Sequence, residues 1–385
     1  MPYPKLPRIL ILSLCVLLFA CDSGSEGDNK QGPSGPSGPT RSYLMGFTPW
    51  PFDSTLSALN TTYSLIQENG DLVAHHLKQG IPWQEALTGA AYPAHLTREI
   101  EGRLSQTLND KQVYLAIDSL STLRDTLAGN WGEDGQEPRS APWDARTFSD
   151  PDVIAAFTNF SLDMIGRFDP VYFNYATEAT ELLLTDPQAF DDFVVFAREV
   201  YRNIKREHPD LPLMVSVALK SPGSPATGGF VDQFPRIADY VDIVGISVYP
   251  YAFFDTKDGA SPGALPDNWL RQIQSIAPNK PVAITETGWI GEDLEIPRFN
   301  LSVNSNEQTQ RNYVLKMLDG AQALDARFVV WFTAVDFDAL WRSALGQDDL
   351  SLIWRDAGLY DENLRGRNAL DVWQDRLRRR YEPGD

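Results

Sequence analysis

Two glutamates stand where apolar, strand-like segments give way to polar residues. Glu178 follows the segment VYFNY at 171–175, and Glu286 directly follows the segment PVAIT at 281–285. Two neighbouring carboxyl groups can divide acid and base work between them, because a negative charge on one raises the proton affinity of the other. Two carboxyls about 5–5.5 Å apart can cleave a glycosidic bond with retention of configuration. The first question is therefore whether the fold brings Glu178 and Glu286 together.

Histidines, amides and aromatic residues also gather at the ends of the predicted strands. Tryptophan rings stack well on the C–H faces of sugars, and amide and carboxylate groups can bind sugar hydroxyls. His75 and His76 are adjacent, so strand alternation sends one of them into the site, and the strand register favours His75. Glu181 competes with Glu178, but it could lie one helical turn later and point outward. The predicted substrate contacts are Trp50, His75, Trp83, Asp118, Asn130, Trp131, Trp289 and Trp331.

The elements that must position these residues alternate regularly along the chain. Helical spacing is clearest at 152–167, 187–207, 266–276 and 307–324. Eight strands alternating with helices favour an α/β fold of the (β/α)₈ TIM-barrel type over an open doubly wound sheet. In such a barrel, functional residues lie at the C-terminal ends of the strands. The predicted strands are 43–48, 71–75, 112–117, 170–175, 212–217, 241–248, 281–285 and 327–332.

The segment after the first predicted strand also argues against an open nucleotide-binding sheet. It reads GFTPWPFD at 46–53 and has none of the glycine patterns that cradle phosphates. A barrel with its site at the strand ends remains the prediction.

Three segments resemble the clan A glycoside hydrolases, which are retaining enzymes on (β/α)₈ barrels. VYFNYATEATELL at 171–183, YVDIVGISVYPY at 240–251 and KPVAITETGW at 280–289 look like the fourth, sixth and seventh strands of that clan. Within the clan, DIVGISVYPY is most similar to the arabinogalactan endo-1,4-β-galactanases of glycoside hydrolase family 53. The resemblance covers most of residues 42 to 345.

The resemblance implies a role for each residue that matches the motifs. Glu178 would be the general acid/base, and Glu286 would be the nucleophile. Tyr249 would donate a hydrogen bond to the nucleophile, and Trp331 would form an aromatic floor under the sugar. The expected reaction is double displacement on a neutral poly- or oligosaccharide.

The chain departs from the clan pattern at two places. The clan usually has asparagine directly before the acid/base, in contact with the sugar 2-hydroxyl, whereas this chain has Thr177. The usual arginine near the end of the second strand is missing, and His75 and His76 stand there. These departures keep a second hypothesis open, a carbohydrate-binding protein whose barrel is not catalytic. Processing of a polymer made by the same cell is a third option.

Composition excludes several classes of partner. The chain has 385 residues, of which 43% are hydrophobic, enough for one large core. A net charge of −19 argues against nucleic acid, which needs clustered basic residues. Four histidines without HExxH or CxxC argue against a zinc site, and no cofactor is expected. A calcium site in loop 255–258 stays open, and a monomer is expected.

The N-terminal segment predicts export and attachment to a membrane. Lys5 and Arg8 precede an apolar run, and LFAC at 18–21 resembles the lipobox of bacterial lipoproteins. Residues 1–20 are therefore predicted to be a lipoprotein signal peptide, 21–41 a linker beginning with lipidated Cys21, and 42–385 the catalytic barrel. The predicted location is the bacterial cell envelope, on its periplasmic or extracellular face, with membrane contact only through Cys21. The alternative is an ordinary secretory signal with an incidental cysteine.

Overall fold

The computed structural model describes residues 38–384 of the chain. The predicted signal peptide, the lipidation site at Cys21 and the linker up to residue 37 lie outside the described residues. Within residues 38–384, no helix combines the length and the hydropathy that crossing a membrane requires.

Eight parallel strands close into a barrel in sequential order, and β8 pairs with β1 to complete it. The eight predicted strands all exist, with ends that differ by at most two residues, so the predicted (β/α)₈ fold is confirmed. The strands are β1 (Leu44–Phe47), β2 (Leu72–Leu77), β3 (Gln112–Ile117), β4 (Tyr172–Ala176), β5 (Leu213–Ala218), β6 (Ile243–Val248), β7 (Val282–Thr287) and β8 (Phe328–Trp331).

Helices lie between the strands and after them. They are α1 (Leu56–Asn69), α2 (Trp83–Thr88), α3 (Ala94–Gln106), α4 (Pro151–Phe168), α5 (Leu182–Thr185), α6 (Pro187–Glu207), α7 (Pro225–Gln233), α8 (Pro250–Phe253), α9 (Thr256–Gly259), α10 (Ile273–Ile276), α11 (Glu307–Ala323), α12 (Asp338–Ser343) and α13 (Asn368–Leu377).

Three of the four clearest predicted helices occur with nearly the predicted bounds, as α4, α6 and α11. Helix α6 begins where Asp186 accepts hydrogen bonds from two backbone N–H groups, with Pro187 in its first turn. The fourth segment, 266–276, is helical only in α10, because its first residues form turns such as the bond from Trp269 N–H to Pro266 O.

Strand alternation divides the apolar residues into two layers. The inner layer fills the barrel and includes Leu72 and Ala74 of β2 and Phe328 and Val330 of β8. The outer layer packs the sheet against the helices. Because successive side chains in a strand face opposite ways, these inner residues identify which later residues point into the mouth at the C-terminal end.

The chain enters the barrel at the opposite end from the mouth. Thr40 and Arg41, which sequence analysis assigns to the linker, pair with Arg380 and Tyr381 in a short parallel sheet. Arg41 Nη1 lies 2.8 Å from the carboxylate of Asp71, which directly precedes β2. The folded unit therefore begins two residues before the predicted boundary at 42. A further hairpin pairs Leu294–Ile296 with Leu301–Val303.

Candidate active site

Glu286 faces the mouth because β7 contains a β-bulge. Ile246 of β6 lies opposite Ile284, but the next residue, Ser247, lies opposite Glu286, so β7 carries one extra residue there. Bulges re-aim side chains next to functional sites. Thr287 faces the outer helices, while Oε1 of Glu286 accepts a hydrogen bond of 2.6 Å from the Tyr249 hydroxyl. This is the contact that the family resemblance implies for Tyr249.

Glu178 lies two residues after the end of β4, with its backbone in the left-handed region at φ 55°. Its backbone N–H donates to Ser216 Oγ at 2.8 Å, and its Oε1 accepts from Ser247 Oγ at 2.6 Å. Such a backbone conformation costs about 1–3 kcal/mol and persists only where the surroundings hold it. Here Ser216 of β5 holds the backbone N–H of Glu178, and Ser247 of β6 holds its carboxylate. Since Ser247 is also the strand partner of Glu286, both glutamates meet at the end of β6.

Arg124 is a site residue that sequence analysis missed. It lies in the long loop between β3 and α4, with Nη1 2.8 Å from Asp118 Oδ2 and Nε 3.3 Å from Glu178 Oε2. Burial alone would raise the pKa of Asp118, but the charges of Arg124 and His76 outweigh burial and hold that pKa well below its usual range. Asp118 is therefore an anion, and its carboxylate lies between Arg124 and His76 of β2. The predicted place of Asp118 in the mouth agrees with these contacts.

His76, not His75, faces the mouth. Its Nε2 lies 2.9 Å from Asp118 Oδ1 and 3.4 Å from Thr177 Oγ1, so Thr177 is also at the mouth. His75 is fully buried on the outer side of the barrel, with Nε2 2.7 Å from Thr107 Oγ1. The prediction for His75 is wrong because the inner face of β2 passes through Leu72, Ala74 and His76. Burial lowers the pKa of His75 well below its usual value.

The electrostatic environment of Glu286 opposes its charged form. Burial raises the pKa of Glu286 most, and the negative charge of Glu178 raises it further. His76, the hydrogen bond from Tyr249 and Lys78 act in the opposite direction but do not cancel the shift. Glu286 is therefore expected to keep its proton to a higher pH than an exposed glutamate does.

Glu181 lies beside Glu178 rather than on an outward-facing helix surface. Both acids line a cavity of about 90 Å³, together with Arg124, Lys220 and Tyr249. Glu181 Oε1 lies 3.0 Å from Lys220 Nζ. Burial raises the pKa of Glu181, against the lowering effect of Lys220. A second acid thus stands near the candidate proton donor.

Trp50 brings an aromatic ring to the mouth. Its ring centre lies 5.7 Å from that of Phe332, which holds the inward-facing position after β8. Lys78, the inward-facing residue after His76, places its ammonium 4.2 Å from the Trp50 ring centre. Trp50 and Phe332 are therefore the aromatic pair on the β1 and β8 side of the mouth.

Three other tryptophans predicted to contact substrate are fully buried in the outer layer. Trp331 donates to Ala357 O at 2.9 Å, because alternation along β8 sends Trp331 outward and Phe332 inward. Trp289 donates to Ser305 Oγ at 3.2 Å. Trp83 donates to Ala128 O at 3.1 Å. These three predictions are wrong, since each ring completes the core and each indole N–H already has an acceptor.

Asn130 and Trp131 lie away from the glutamates, in the loop between β3 and α4. Asn130 donates a side-chain hydrogen bond of 3.1 Å to Pro138 O in the same loop. That contact gives Asn130 a role in loop structure, not the predicted substrate contact. Trp131 lines a different cavity, together with Gln79 and residues of α3.

Within residues 38–384, one group of three carboxylates has the spacing to hold a metal ion. It consists of Glu292, Asp336 and Glu362, with one oxygen of each within 4.8 Å of the others. Arg367 forms ion pairs with Asp336 and Glu292, so a cation already neutralises the group.

Comparison with protein-family models and with curated proteins finds no match. Solved structures with similar folds include an exo-β-1,4-mannosidase from Opitutaceae bacterium strain TAV5, with a TM-score of 0.58 and 13% identity over 88% of this chain and 60% of that chain. A GH5_18 protein from Bifidobacterium longum subsp. infantis has a TM-score of 0.59 and 14% identity over 90% of this chain and 80% of its own.

The catalytic domain of a GH53 protein from Ignisphaera aggregans has a TM-score of 0.56 and 14% identity, over 90% of this chain and 98% of that domain. The chain spans 60% of the length of the mannosidase. The three structures are similar to nearly the same degree, so the likeness does not single out family 53. At these identities the comparisons show the fold: a TIM barrel whose structural neighbours are glycoside hydrolases.

Proposed function

We propose that this protein is a retaining β-glycoside hydrolase of the clan A type, acting on a neutral poly- or oligosaccharide. One observation carries the proposal: the glutamates that follow β4 and end β7 meet at one barrel mouth. Glu178 is hydrogen-bonded to Ser247, and Ser247 is the strand partner of Glu286. The structural neighbours named as glycoside hydrolases and glycosidases support the reaction class.

In the first step, ionised Glu286 attacks the anomeric carbon while Glu178 gives a proton to the departing oxygen. Tyr249 holds Glu286 Oε1 at 2.6 Å, which leaves Oε2 for the attack. In the second step, Glu178 takes a proton from water, and the water displaces Glu286 from the sugar. Ser247 keeps the carboxyl group of Glu178 oriented through both steps.

The charged neighbours of the pair have a positioning role in this mechanism. Arg124 is shared between Asp118 and Glu178, and its contact with Asp118 is the shorter one, 2.8 Å against 3.3 Å. Asp118 in turn holds His76 at 2.9 Å. His76 in turn lowers the pKa of Glu286. Thr177 and His76 thus occupy the region where the clan usually has asparagine and arginine.

The test is mutation of each glutamate with a rescue that separates their roles. Glu286→Ala should abolish release of reducing sugar, and Glu178→Ala should reduce it by roughly 10²–10⁴-fold. Azide is a nucleophile that can replace water in the second step without help from a general base. Added azide should therefore restore turnover of an activated aryl β-glycoside by Glu178→Ala and give a β-glycosyl azide as the product. Glu181→Ala is the matched control and should retain most of the turnover. Normal activity in either glutamate variant would contradict the proposal.

A carbohydrate-binding protein with a non-catalytic barrel is the second candidate. The observation in its favour is that both carboxylate oxygens of Glu178 already have partners, Ser247 and Arg124. Calorimetry that shows tight glycan binding by the wild-type protein, with no product after long incubation, would favour this candidate over the hydrolase.

A further inference from the structure

A second and larger cavity lies at the same end of the barrel as the glutamate pair. Its volume is about 440 Å³, within the range of about 300–1,000 Å³ that is typical of small-ligand sites. Pro49 and Pro51 follow β1, and Gln79 follows β2, so the loops at the C-terminal strand ends form one wall. Residues of α1 and α3 and the ring of Trp131 form the other walls.

The chemistry of this cavity suits a neutral, hydroxyl-rich ligand. Its charged lining residues balance, because Arg98 pairs with Glu133 at 3.3 Å and Arg103 pairs with Glu99 at 2.7 Å. His95 also lines the cavity, and its buried Nε2 has no hydrogen-bond partner among residues 38–384. Planar polar side chains beside an aromatic ring are the groups that hold sugar hydroxyls and C–H faces.

The loop around Trp50 lies between this cavity and the mouth of the barrel. The wall residues Pro49 and Pro51 flank Trp50 in the chain, and the wall residue Gln79 follows Lys78. Lys78 lies over the Trp50 ring at 4.2 Å, and the same ring contacts Phe332 at the mouth. The loop that carries Pro49, Trp50 and Pro51 therefore borders both the mouth and the cavity.

We propose that the cavity binds sugar units of the same glycan chain at a distance from the cleaved bond, so that the enzyme favours chains over short glycosides. This inference rests on the proposed glycosidase function. The ligand class is an uncharged β-linked oligosaccharide. Binding far from the reacting bond raises kcat/KM for long substrates, because short substrates do not make those contacts.

Gly102 of α3 offers a way to fill the cavity. A Cβ at Gly102 would meet no atom within 4 Å, and the residue lines the cavity. Gly102→Phe should therefore place a ring in the cavity without disturbing the helix. Gly166 of α4 is also helical and has the same free space, but it is exposed and lies outside the cavity lining. Gly166→Phe is the matched control.

The experiment compares a hexasaccharide with an aryl glycoside of the same sugar. The probes are β-1,4-linked hexaoses of mannose, galactose and glucose and the corresponding p-nitrophenyl β-glycosides. For a sugar that is cleaved, Gly102→Phe should lower the ratio of the two kcat/KM values by about 10- to 100-fold, the equivalent of one or two lost hydrogen bonds to charged groups. Gly166→Phe should leave this ratio at its wild-type value.

The possible outcomes separate failure of the cavity inference from failure of the proposed hydrolase function. A wild-type ratio in Gly102→Phe would overturn the cavity inference and leave the hydrolase standing. If no probe is cleaved, calorimetry with the same hexaoses becomes the readout. Binding that Gly102→Phe weakens and Gly166→Phe preserves would then support the cavity and overturn the hydrolase. Absence of both cleavage and binding in the wild-type protein would overturn both.

Discussion

Glu286 is held where its charge is disfavoured, and this has a consequence for stability. Its pKa is raised in the folded state, chiefly by burial. Between the unfolded and folded pKa values, the folded protein binds more protons than the unfolded chain, so stability falls as pH rises through that interval. The charged form that Glu286 would need as the proposed nucleophile is therefore the less stable form of the fold.

Glu286→Gln should accordingly stabilise the protein at neutral pH. The amide keeps the shape and can still accept from Tyr249, but it carries no charge. We expect a Tm higher by about 1–3 °C near pH 7, and a much smaller difference near about pH 4, where the wild-type carboxyl is mostly protonated in both states. Scanning calorimetry at the two pH values measures this. A lower Tm for the variant at neutral pH would contradict the expected sign.

Tyr249 should set the pH at which activity rises. Its hydrogen bond favours ionised Glu286 and lowers the pKa of that carboxyl, against the effect of burial. Tyr249→Phe should therefore raise the Glu286 pKa further, move the acid limb of the kcat/KM profile to higher pH, and reduce kcat/KM by about 10- to 100-fold.

A pH profile distinguishes this role from a structural one. If Tyr249 only packs under the rim, its loss should lower activity by the same factor at every pH. An acid limb that stays at its wild-type pH would therefore contradict the prediction.

At the scale of elements, the strands were predictable because they are buried on both faces. Parallel barrel strands then appear in the sequence as continuous apolar runs between breaks. The same property hides which side chains face inward, because both faces are apolar. Strand register predicted His75 at the mouth and the family resemblance predicted Trp331 there, whereas His76 and Phe332 hold the inward positions.

Two further features of the site depend on contacts between residues far apart in the chain, which a local sequence pattern does not reveal. The bulge that aims Glu286 becomes visible only in the pairing of β7 with β6. Arg124 lies in an irregular loop and contacts Glu178, which is 54 residues away in the chain. The glutamates themselves were predictable, because carboxylates at the ends of β4 and β7 stand out after apolar runs.

At the scale of the whole molecule, the predicted envelope attachment depends on Cys21, outside the described residues. We expect Cys21→Ser to lose lipid labelling and to move from the membrane fraction to the soluble fraction when expressed in a bacterial host. The folded unit begins at Thr40, so the proposed glycosidase activity per molecule should stay at the wild-type level. Fractionation and labelling with a radioactive fatty acid measure the change. A variant that still sediments with membranes and still takes up label would contradict lipidation at this residue.

The small sheet that joins residues 40–41 to 380–381 puts the first and last segments of the folded unit at the floor of the barrel. Arg41 contacts Asp71 before β2, and Arg327 before β8 donates to Gly384 O at 2.8 Å. A resin bead or an affinity tag joined directly before Thr40 or directly after Gly384 is therefore attached on the side remote from the glutamates. Long insoluble polymers should therefore reach an immobilised sample as readily as a free one.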